Sequence, residues 1–127
     1  MHKGSKPRVL VVDDDESIRA LLKVVLGILG CEIAGEAEDG AKGLESYKQI
    51  HPDLTLLDIS MPNMNGIETL KAILIFDPNA QVLMLTAVKD NIVAEDCILA
   101  GAKDYLRKDL GPEDMERRLR EEINKFS

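Results

Sequence analysis

Tryptophan is absent from this 127-residue chain, and cysteine and histidine occur only twice each. The cysteines, Cys31 and Cys97, are far apart and form no metal-binding or redox spacing. We interpret both as reduced, small apolar side chains. His2 lies in the amino-terminal segment and His51 at the end of a predicted helix, so neither is well placed for acid–base catalysis.

Long apolar runs and an excess of basic charge are lacking as well. No stretch is long enough to cross a bilayer, and no separate apolar segment precedes the first predicted strand, which argues against a signal peptide. The net charge of −7 argues against nucleic acid as a direct partner, because phosphate binding needs clustered lysine and arginine. We therefore predict a soluble, cytoplasmic protein that contacts neither nucleic acid nor membrane.

The composition, 45% hydrophobic and 31% charged, is sufficient to fill one core and keep the protein in solution. The length fits a single domain, which we predict over 8–127 after a flexible tail over 1–7. No repeat, linker or low-complexity tract is found in the sequence. No glycine-rich loop follows the first predicted strand, so a nucleotide-binding module is not favoured.

Short apolar runs alternate with segments whose apolar residues recur at helical spacing. Five strand–helix pairs predict an α/β protein, with a parallel sheet and helices on both faces. Right-handed crossovers favour the flavodoxin-like strand order 2-1-3-4-5. The predicted strands are 8–12, 31–37, 54–57, 81–85 and 105–107, and the helices are 17–29, 40–50, 67–76, 91–100 and one from Pro112 through an apolar stripe ending at Phe126.

Acidic residues follow two of these strands: Asp13 and Asp14 come directly after the first, and Asp58 after the third. The predicted order makes these strands neighbours, and ligands bind outside the carboxyl ends of such strands. Two carboxylates about 4 Å apart repel each other by roughly 4 kcal/mol at an effective dielectric constant near 20. A divalent cation reverses that repulsion, so the pattern predicts a site for Mg²⁺, with Mn²⁺ as an alternative.

Two further polar residues end strands at the same edge, Thr86 after the fourth and Lys108 after the fifth. Lysine suits phosphate as a point charge, and threonine supplies a hydroxyl donor. With a carboxylate as nucleophile, this set is suited to forming an aspartyl phosphate. Each residue alone also has a structural interpretation, and Asp15 fits the N-cap of the first helix.

Four segments in order resemble the signatures of response-regulator receiver domains, and the similarity covers the chain after its first few residues. They are 11–14 (Val-Val-Asp-Asp), 56–62 (Leu-Leu-Asp-Ile-Ser-Met-Pro) with Asn65 and Gly66, 85–87 (Leu-Thr-Ala) and 105–108 (Tyr-Leu-Arg-Lys). The resemblance implies a signalling switch that catalyses only its own phosphorylation and dephosphorylation and is not otherwise an enzyme. It implies that a sensor histidine kinase or a phosphotransfer protein donates a phosphoryl group to Asp58.

The resemblance also implies a role for each residue of the site. Asp14, Asp58 and the backbone carbonyl of Ser60 would contact Mg²⁺, with Asp13 acting through water; Lys108, Thr86 and Ala87 would bind the phosphoryl group; and Thr86 and Tyr105 would be the switch residues. The surface that changes would comprise the fourth helix, fifth strand and fifth helix, and would meet an output partner or a second copy. Residues 97–100 of that helix are all apolar, so Ile98 or Leu99 should be exposed.

One position departs from the family pattern: Asp109 follows Lys108 where most receiver domains carry proline. This pair resembles that of LuxR-type regulators, whose carboxyl-terminal helix-turn-helix domain has no counterpart in these 127 residues. The protein is therefore either a stand-alone receiver or one part of a longer chain. A cis bond before a residue other than proline costs about 3 kcal/mol, so the bond between Lys108 and Asp109 could be trans.

A phosphatase of the haloacid dehalogenase type is the main alternative. Asp13, Asp14 and Asp15, with Ser17, give a superficial match to its Asp-x-Asp pattern after the first strand. In that case Asp13 would be the nucleophile and Asp58 would have no role. The chain is short for that family and has no segment for a cap domain.

Overall fold

The computed structural model describes residues 6–125, apart from the side chain of Val88. Most of the predicted tail, and Phe126, lie outside the described residues. The described strands are β1 (Arg8–Val12), β2 (Glu32–Ala37), β3 (Leu54–Asp58), β4 (Val82–Thr86) and β5 (Asp104–Arg107). The described helices are α1 (Glu16–Ile28), α2 (Gly40–Ile50), α3 (Gly66–Phe76), α4 (Asn91–Ala100) and α5 (Pro112–Asn124), with a 3₁₀ turn at Val88–Asp90.

All five strands form one parallel sheet in the order β2-β1-β3-β4-β5. The predicted fold class and strand order are therefore confirmed. β1 and β3 are neighbours, with Val12 paired to Leu57, so their carboxyl ends meet at one edge of the sheet. None of the helices in the described part of the chain has the length and hydropathy that crossing a bilayer requires.

The core has two halves, one on each face of the sheet. Side chains of a strand alternate between faces, so Val9 and Val11 pack against α1 and α5, and Leu10 and Val12 pack against the other helices. Both cysteines are free and buried, Cys31 in the first half and Cys97 in the second, in agreement with their prediction as core residues.

Local capping fixes where the helices begin. The side chain of Asp15 accepts a hydrogen bond from the backbone N–H of Ser17, which confirms Asp15 as the N-cap and starts α1 one residue earlier than predicted. Asn65 and Glu68 form a capping box at α3, which also begins one residue earlier. Pro112 occupies the first position of α5, as predicted.

The fourth helix exposes part of its apolar surface. Cys97 is buried, whereas Ile98 is 37% and Leu99 is 87% exposed, as the run of four apolar residues predicts. Ile92, on the same helix, is also exposed. On α1, Val24 and Ile28 are exposed large apolar residues.

Candidate functional site

Three acids meet at the carboxyl edge of the sheet. Asp13, Asp14 and Asp58 each offer a carboxylate oxygen, and these oxygens lie within 4.8 Å of one another. Asp14 is exposed, whereas Asp13 and Asp58 are buried, with Asp58 only 1% exposed. The predicted acidic cluster is therefore present, and it is compatible with binding of a divalent cation such as Mg²⁺.

Strand alternation explains why the charged side chains face one another. Leu56 and Leu106 point to the face covered by α1 and α5, so the residues two positions later, Asp58 and Lys108, continue on that face. The Nζ of Lys108 lies 3.3 Å from Oδ1 of Asp58 and 3.0 Å from Oδ2 of Asp13. The lysine therefore bridges the carboxylates that follow β1 and β3.

One lysine does not satisfy the buried carboxylates. Oδ1 of Asp13 accepts a hydrogen bond of 2.9 Å from the backbone N–H of Asp15. Oδ2 of Asp58 is buried and has no hydrogen-bond partner among the described residues, and Oδ2 of Asp13 is buried with Lys108 as its one ionic partner there. A buried anionic oxygen without a donor is costly, and a cation bound between the carboxylates would remove that cost. The donor set therefore fits Mg²⁺.

Burial also controls the proton affinity of the cluster. It raises the pKa of Asp58 to about 7, and the charge of Asp13 adds to that rise while Lys108 opposes it. Burial likewise raises the pKa of Asp13, although the hydrogen bond from the Asp15 N–H and the contact with Lys108 act to lower it. Burial alone would lower the pKa of Lys108, but its contacts with Asp13 and Asp58 outweigh burial and raise that pKa.

Arg19 anchors the turn that carries the first acids, and the sequence reasoning missed it. Its guanidinium donates a hydrogen bond of 2.7 Å to the backbone carbonyl of Asp13. Its Nε also contacts Glu36 on β2, at 3.0 Å. Arg19 lies four residues after the N-cap Asp15 and belongs to no motif in the sequence, so only the folded structure reveals that it holds the turn.

Thr86 is the last residue of β4, Ala87 follows it, and Tyr105 lies on the neighbouring strand β5. The Thr86 hydroxyl is buried and donates a hydrogen bond of 2.9 Å to the carbonyl of Ala87, and the Thr86 carbonyl accepts the backbone N–H of Lys108 at 2.9 Å. Tyr105 is 38% exposed, and its carbonyl accepts a hydrogen bond from Arg118 of α5. In this conformation the Thr86 hydroxyl is therefore engaged by the backbone of Ala87, and Tyr105 is partly exposed.

The loop after β3 contributes Ser60. Its hydroxyl donates a hydrogen bond of 3.0 Å to Oδ1 of Asp90 in the connection between β4 and α4. The loop turns sharply because Gly66 approaches it closely: a Cβ at that position would lie 2.3 Å from the carbonyl oxygen of Asp58. Only glycine fits this path without moving the backbone that carries Asp58.

The residue after Lys108 introduces no unusual backbone geometry. Among the described residues no peptide bond is cis, so the bond to Asp109 is trans. Asp109 instead forms an ion pair of 2.7 Å with Arg107 at the end of β5.

The fold and the acidic edge define a response regulator receiver domain, and the chain belongs to that family: the family's sequence model matches residues 9–120. It is therefore a receiver of two-component signalling, as its four motifs predict. Among named relatives, it is similar to the chemotaxis protein CheY of Thermotoga maritima, with 41% identity over 120 residues, 94% of this chain and 97% of that protein.

Other relatives agree in sequence and in structure. The chemotaxis protein CheY of Bacillus subtilis is 41% identical over 93% of this chain and 95% of its own length. CheY in the CheX–CheY–BeF₃–Mg²⁺ complex of Borrelia burgdorferi superimposes with a TM-score of 0.84 at 33% identity, over 91% of this chain and 88% of that chain. The response regulator domain of Thermotoga maritima CheB superimposes with a TM-score of 0.85 at 31% identity, over 95% of this chain and 96% of that chain.

Proposed function

We propose that this receiver is a phosphorylation-controlled switch whose Asp58 accepts a phosphoryl group from a histidine kinase or a phosphotransfer protein, in a Mg²⁺-dependent reaction. The observation that carries the proposal is the environment of the Asp58 carboxylate. One of its oxygens contacts Lys108, and the other has no hydrogen-bond partner among the described residues. That carboxylate combines a free nucleophilic oxygen with an adjacent positive charge.

The transfer needs little acid–base chemistry. A carboxylate oxygen of Asp58 forms a bond to phosphorus as the phosphorus–nitrogen bond of the donor's phosphohistidine breaks, and the electron pair of that bond returns to the imidazole, which takes up a proton. Lys108 balances negative charge on the phosphoryl oxygens. Thr86 and the backbone of Ala87 supply hydrogen bonds to those oxygens once the Thr86 hydroxyl leaves its present bond to the Ala87 carbonyl.

The proposed metal ligands are Asp13, Asp14, Asp58 and the backbone carbonyl of Ser60, with Asp13 acting through water. The grouping of the three carboxylates supports the first three, and the place of Ser60 two residues after Asp58 supports the fourth. Bound Mg²⁺, or Mn²⁺, would supply positive charge opposite the phosphoryl oxygens. The protein's own part is to hold the ligands in place through the Asp15 N–H and Arg19 contacts with Asp13.

The proposed output is a change of surface on α4, β5 and α5. Thr86 moves toward the phosphoryl group, and Tyr105 turns inward from its partly exposed position. Leu99 and Ile92 give α4 an apolar surface that a partner or a second copy can cover. The variant Leu99→Glu should weaken self-association or partner binding, and unchanged behaviour in both would contradict this part of the proposal.

The protein acts, on this proposal, as a signalling component in the cytoplasm and catalyses only its own phosphorylation and dephosphorylation. The phosphatase alternative needs Asp13 as the nucleophile. Asp13 already accepts a hydrogen bond from Asp15 through one oxygen and contacts Lys108 through the other. The alternative gives Asp58 no role, although one oxygen of its carboxylate makes neither a hydrogen bond nor an ionic contact with the described residues.

The test is incubation of the protein with acetyl phosphate, with and without Mg²⁺, followed by intact mass spectrometry. We expect a gain of one phosphoryl group that requires Mg²⁺ and is absent in Asp58→Asn. Asp96→Asn, a matched change at an exposed aspartate of α4, should retain the gain. A gain that persists in Asp58→Asn would overturn the assignment of the acceptor.

A further inference from the structure

Asp90 is a buried carboxylate that the proposed reaction does not use. It is 7% exposed and immediately precedes α4, where aspartate commonly caps a helix. Its side chain makes no capping hydrogen bond to α4. It accepts the hydroxyl of Ser60 instead, at 3.0 Å. The carboxylate therefore joins the connection after β4 to the loop after β3, thirty residues away.

Ser60 lies in a part of its loop that backbone hydrogen bonds do not support. The preceding residue, Ile59, donates to the Leu85 carbonyl at 3.2 Å and accepts from Gly66 at 2.7 Å. Ser60 itself takes part in no backbone–backbone hydrogen bond within residues 6–125. Its side-chain bond to Asp90 is thus the contact that fixes it, and its carbonyl accepts no hydrogen bond from the described residues.

We propose that Asp90 is a positioning residue for the cation site, which it serves by holding Ser60 so that the Ser60 backbone carbonyl faces the carboxylates. This inference rests on the proposed function, in which that carbonyl is a Mg²⁺ ligand beside Asp58. Removing a group that orients a metal ligand typically weakens affinity by about 10–100-fold. Asp90 orients Ser60 through a single hydrogen bond, and the proposed ligand is a neutral carbonyl. We therefore expect a loss of Mg²⁺ affinity at the lower end of that range, about tenfold.

Asp90 could also attract Mg²⁺ through its charge alone, and the choice of variants separates the two effects. Asp90→Ala removes both the acceptor and the charge, whereas Asp90→Asn removes the charge and keeps an oxygen that accepts the Ser60 hydroxyl. Ser60→Ala breaks the bond and leaves the charge in place. The hydroxyl of Ser60 lies on an exposed residue, so Ser60→Ala carries the test even if Asp90→Ala fails to fold.

The experiment is calorimetric titration of the full chain with MgCl₂. We expect Asp90→Ala and Ser60→Ala each to bind about tenfold more weakly, their double variant to bind no more weakly than either, and Asp90→Asn to stay close to the unmodified protein. Asp96→Asn is the control for charge on α4. Unfolding of the metal-free variants, followed by circular dichroism, separates loss of positioning from loss of fold.

Three outcomes would overturn the inference: an Asp90→Asn variant that binds as weakly as Asp90→Ala, additive losses in the double variant, or unchanged affinity in both single variants. If the unmodified protein binds Mg²⁺ and one of these outcomes is found, only the role of Asp90 is contradicted. If the unmodified protein binds no Mg²⁺, the proposed function itself is contradicted. The titration of the unmodified protein therefore distinguishes the two failures.

Discussion

Two clusters of charged side chains lie on either side of the turn from β1 to α1, and their contacts have similar lengths. In the first, Lys108 lies 3.0 Å and 3.3 Å from Asp13 and Asp58. In the second, Arg19 and Lys23 lie 3.0 Å and 2.8 Å from Glu36. The carboxylates respond in opposite ways, because the pKa of Asp58 is raised and that of Glu36 is lowered.

Burial and charge balance account for the difference. The first cluster has three carboxylates near one ammonium group, and two of the carboxylates are buried. The second has two cations around one carboxylate that retains contact with water, and the hydrogen bond from Lys23 is the main cause of the lowered pKa of Glu36. The first cluster therefore has an excess of negative charge that a further cation would balance, whereas the second has an excess of positive charge around Glu36.

The largest expected difference concerns the two lysines. Lys108→Gln should slow phosphorylation by acetyl phosphate by about 100-fold, because it removes the charge placed beside the phosphoryl oxygens. Lys23→Gln removes an equal charge from the second cluster and should leave the rate unchanged. Initial rates from intact mass spectra measure both, and equal slowing in the two variants would show that only overall charge matters.

Removing the metal should affect only the first cluster. At a free Mg²⁺ concentration 100 times the dissociation constant, binding stabilises the folded state by about 2.7 kcal/mol. We expect this gain in the unmodified protein and in Glu36→Gln, and its loss in Asp58→Asn. Chemical unfolding with and without chelator, followed by circular dichroism because the chain has no tryptophan, gives the values. A full gain in Asp58→Asn would contradict the ligand assignment.

Without metal, Asp58 should cost stability. Its pKa is about 7 in the folded protein against an ordinary value of 3.8, so between these values the folded state binds more protons than the unfolded state. The free energy of unfolding therefore falls as pH rises from about 4 through 7. Asp58→Asn removes this penalty, whose upper limit from the two pKa values is about 4 kcal/mol. Because the variant also loses the contact with Lys108, we expect it to stabilise the metal-free protein at pH 8 by about 2 kcal/mol. Destabilisation at pH 8 would contradict the account.

The smallest effect is expected at Glu36. The salt bridges of Glu36 are partly exposed, so Glu36→Gln should cost at most about 1 kcal/mol. The sign of its pH dependence is opposite to that of Asp58: because its pKa is lowered, its contribution is present at neutral pH and lost as pH falls through the folded pKa. Denaturant titrations of the unmodified protein and Glu36→Gln at pH 7 and pH 3 measure this contribution. A larger loss of unfolding free energy at pH 3 than at pH 7 would contradict the predicted sign.

The sequence predicted what depends on local pattern and on strand ends. Short apolar runs located the strands, and the parallel order brought Asp13, Asp58 and Lys108 to one edge. The N-cap at Asp15 was also predictable, because capping depends on residues within one turn of the helix.

Features that join distant segments were not predictable. The hydrogen bond between Ser60 and Asp90 spans thirty residues and follows no periodicity. Arg19 reaches the Asp13 carbonyl only because α1 packs back on β1. The pairing of β1 with β2 shifts after Val9, which leaves Ala34 as an extra residue in β2, and no pattern in the sequence marks that irregularity.

The most direct test of the central claim is to locate the phosphoryl group. The protein is phosphorylated with acetyl phosphate and Mg²⁺, the acyl phosphate is reduced with borohydride to a stable alcohol, and peptide mass spectrometry identifies the modified residue. We predict modification at Asp58 alone. Modification at Asp13, with rapid turnover and none at Asp58, would contradict the account and favour a phosphatase.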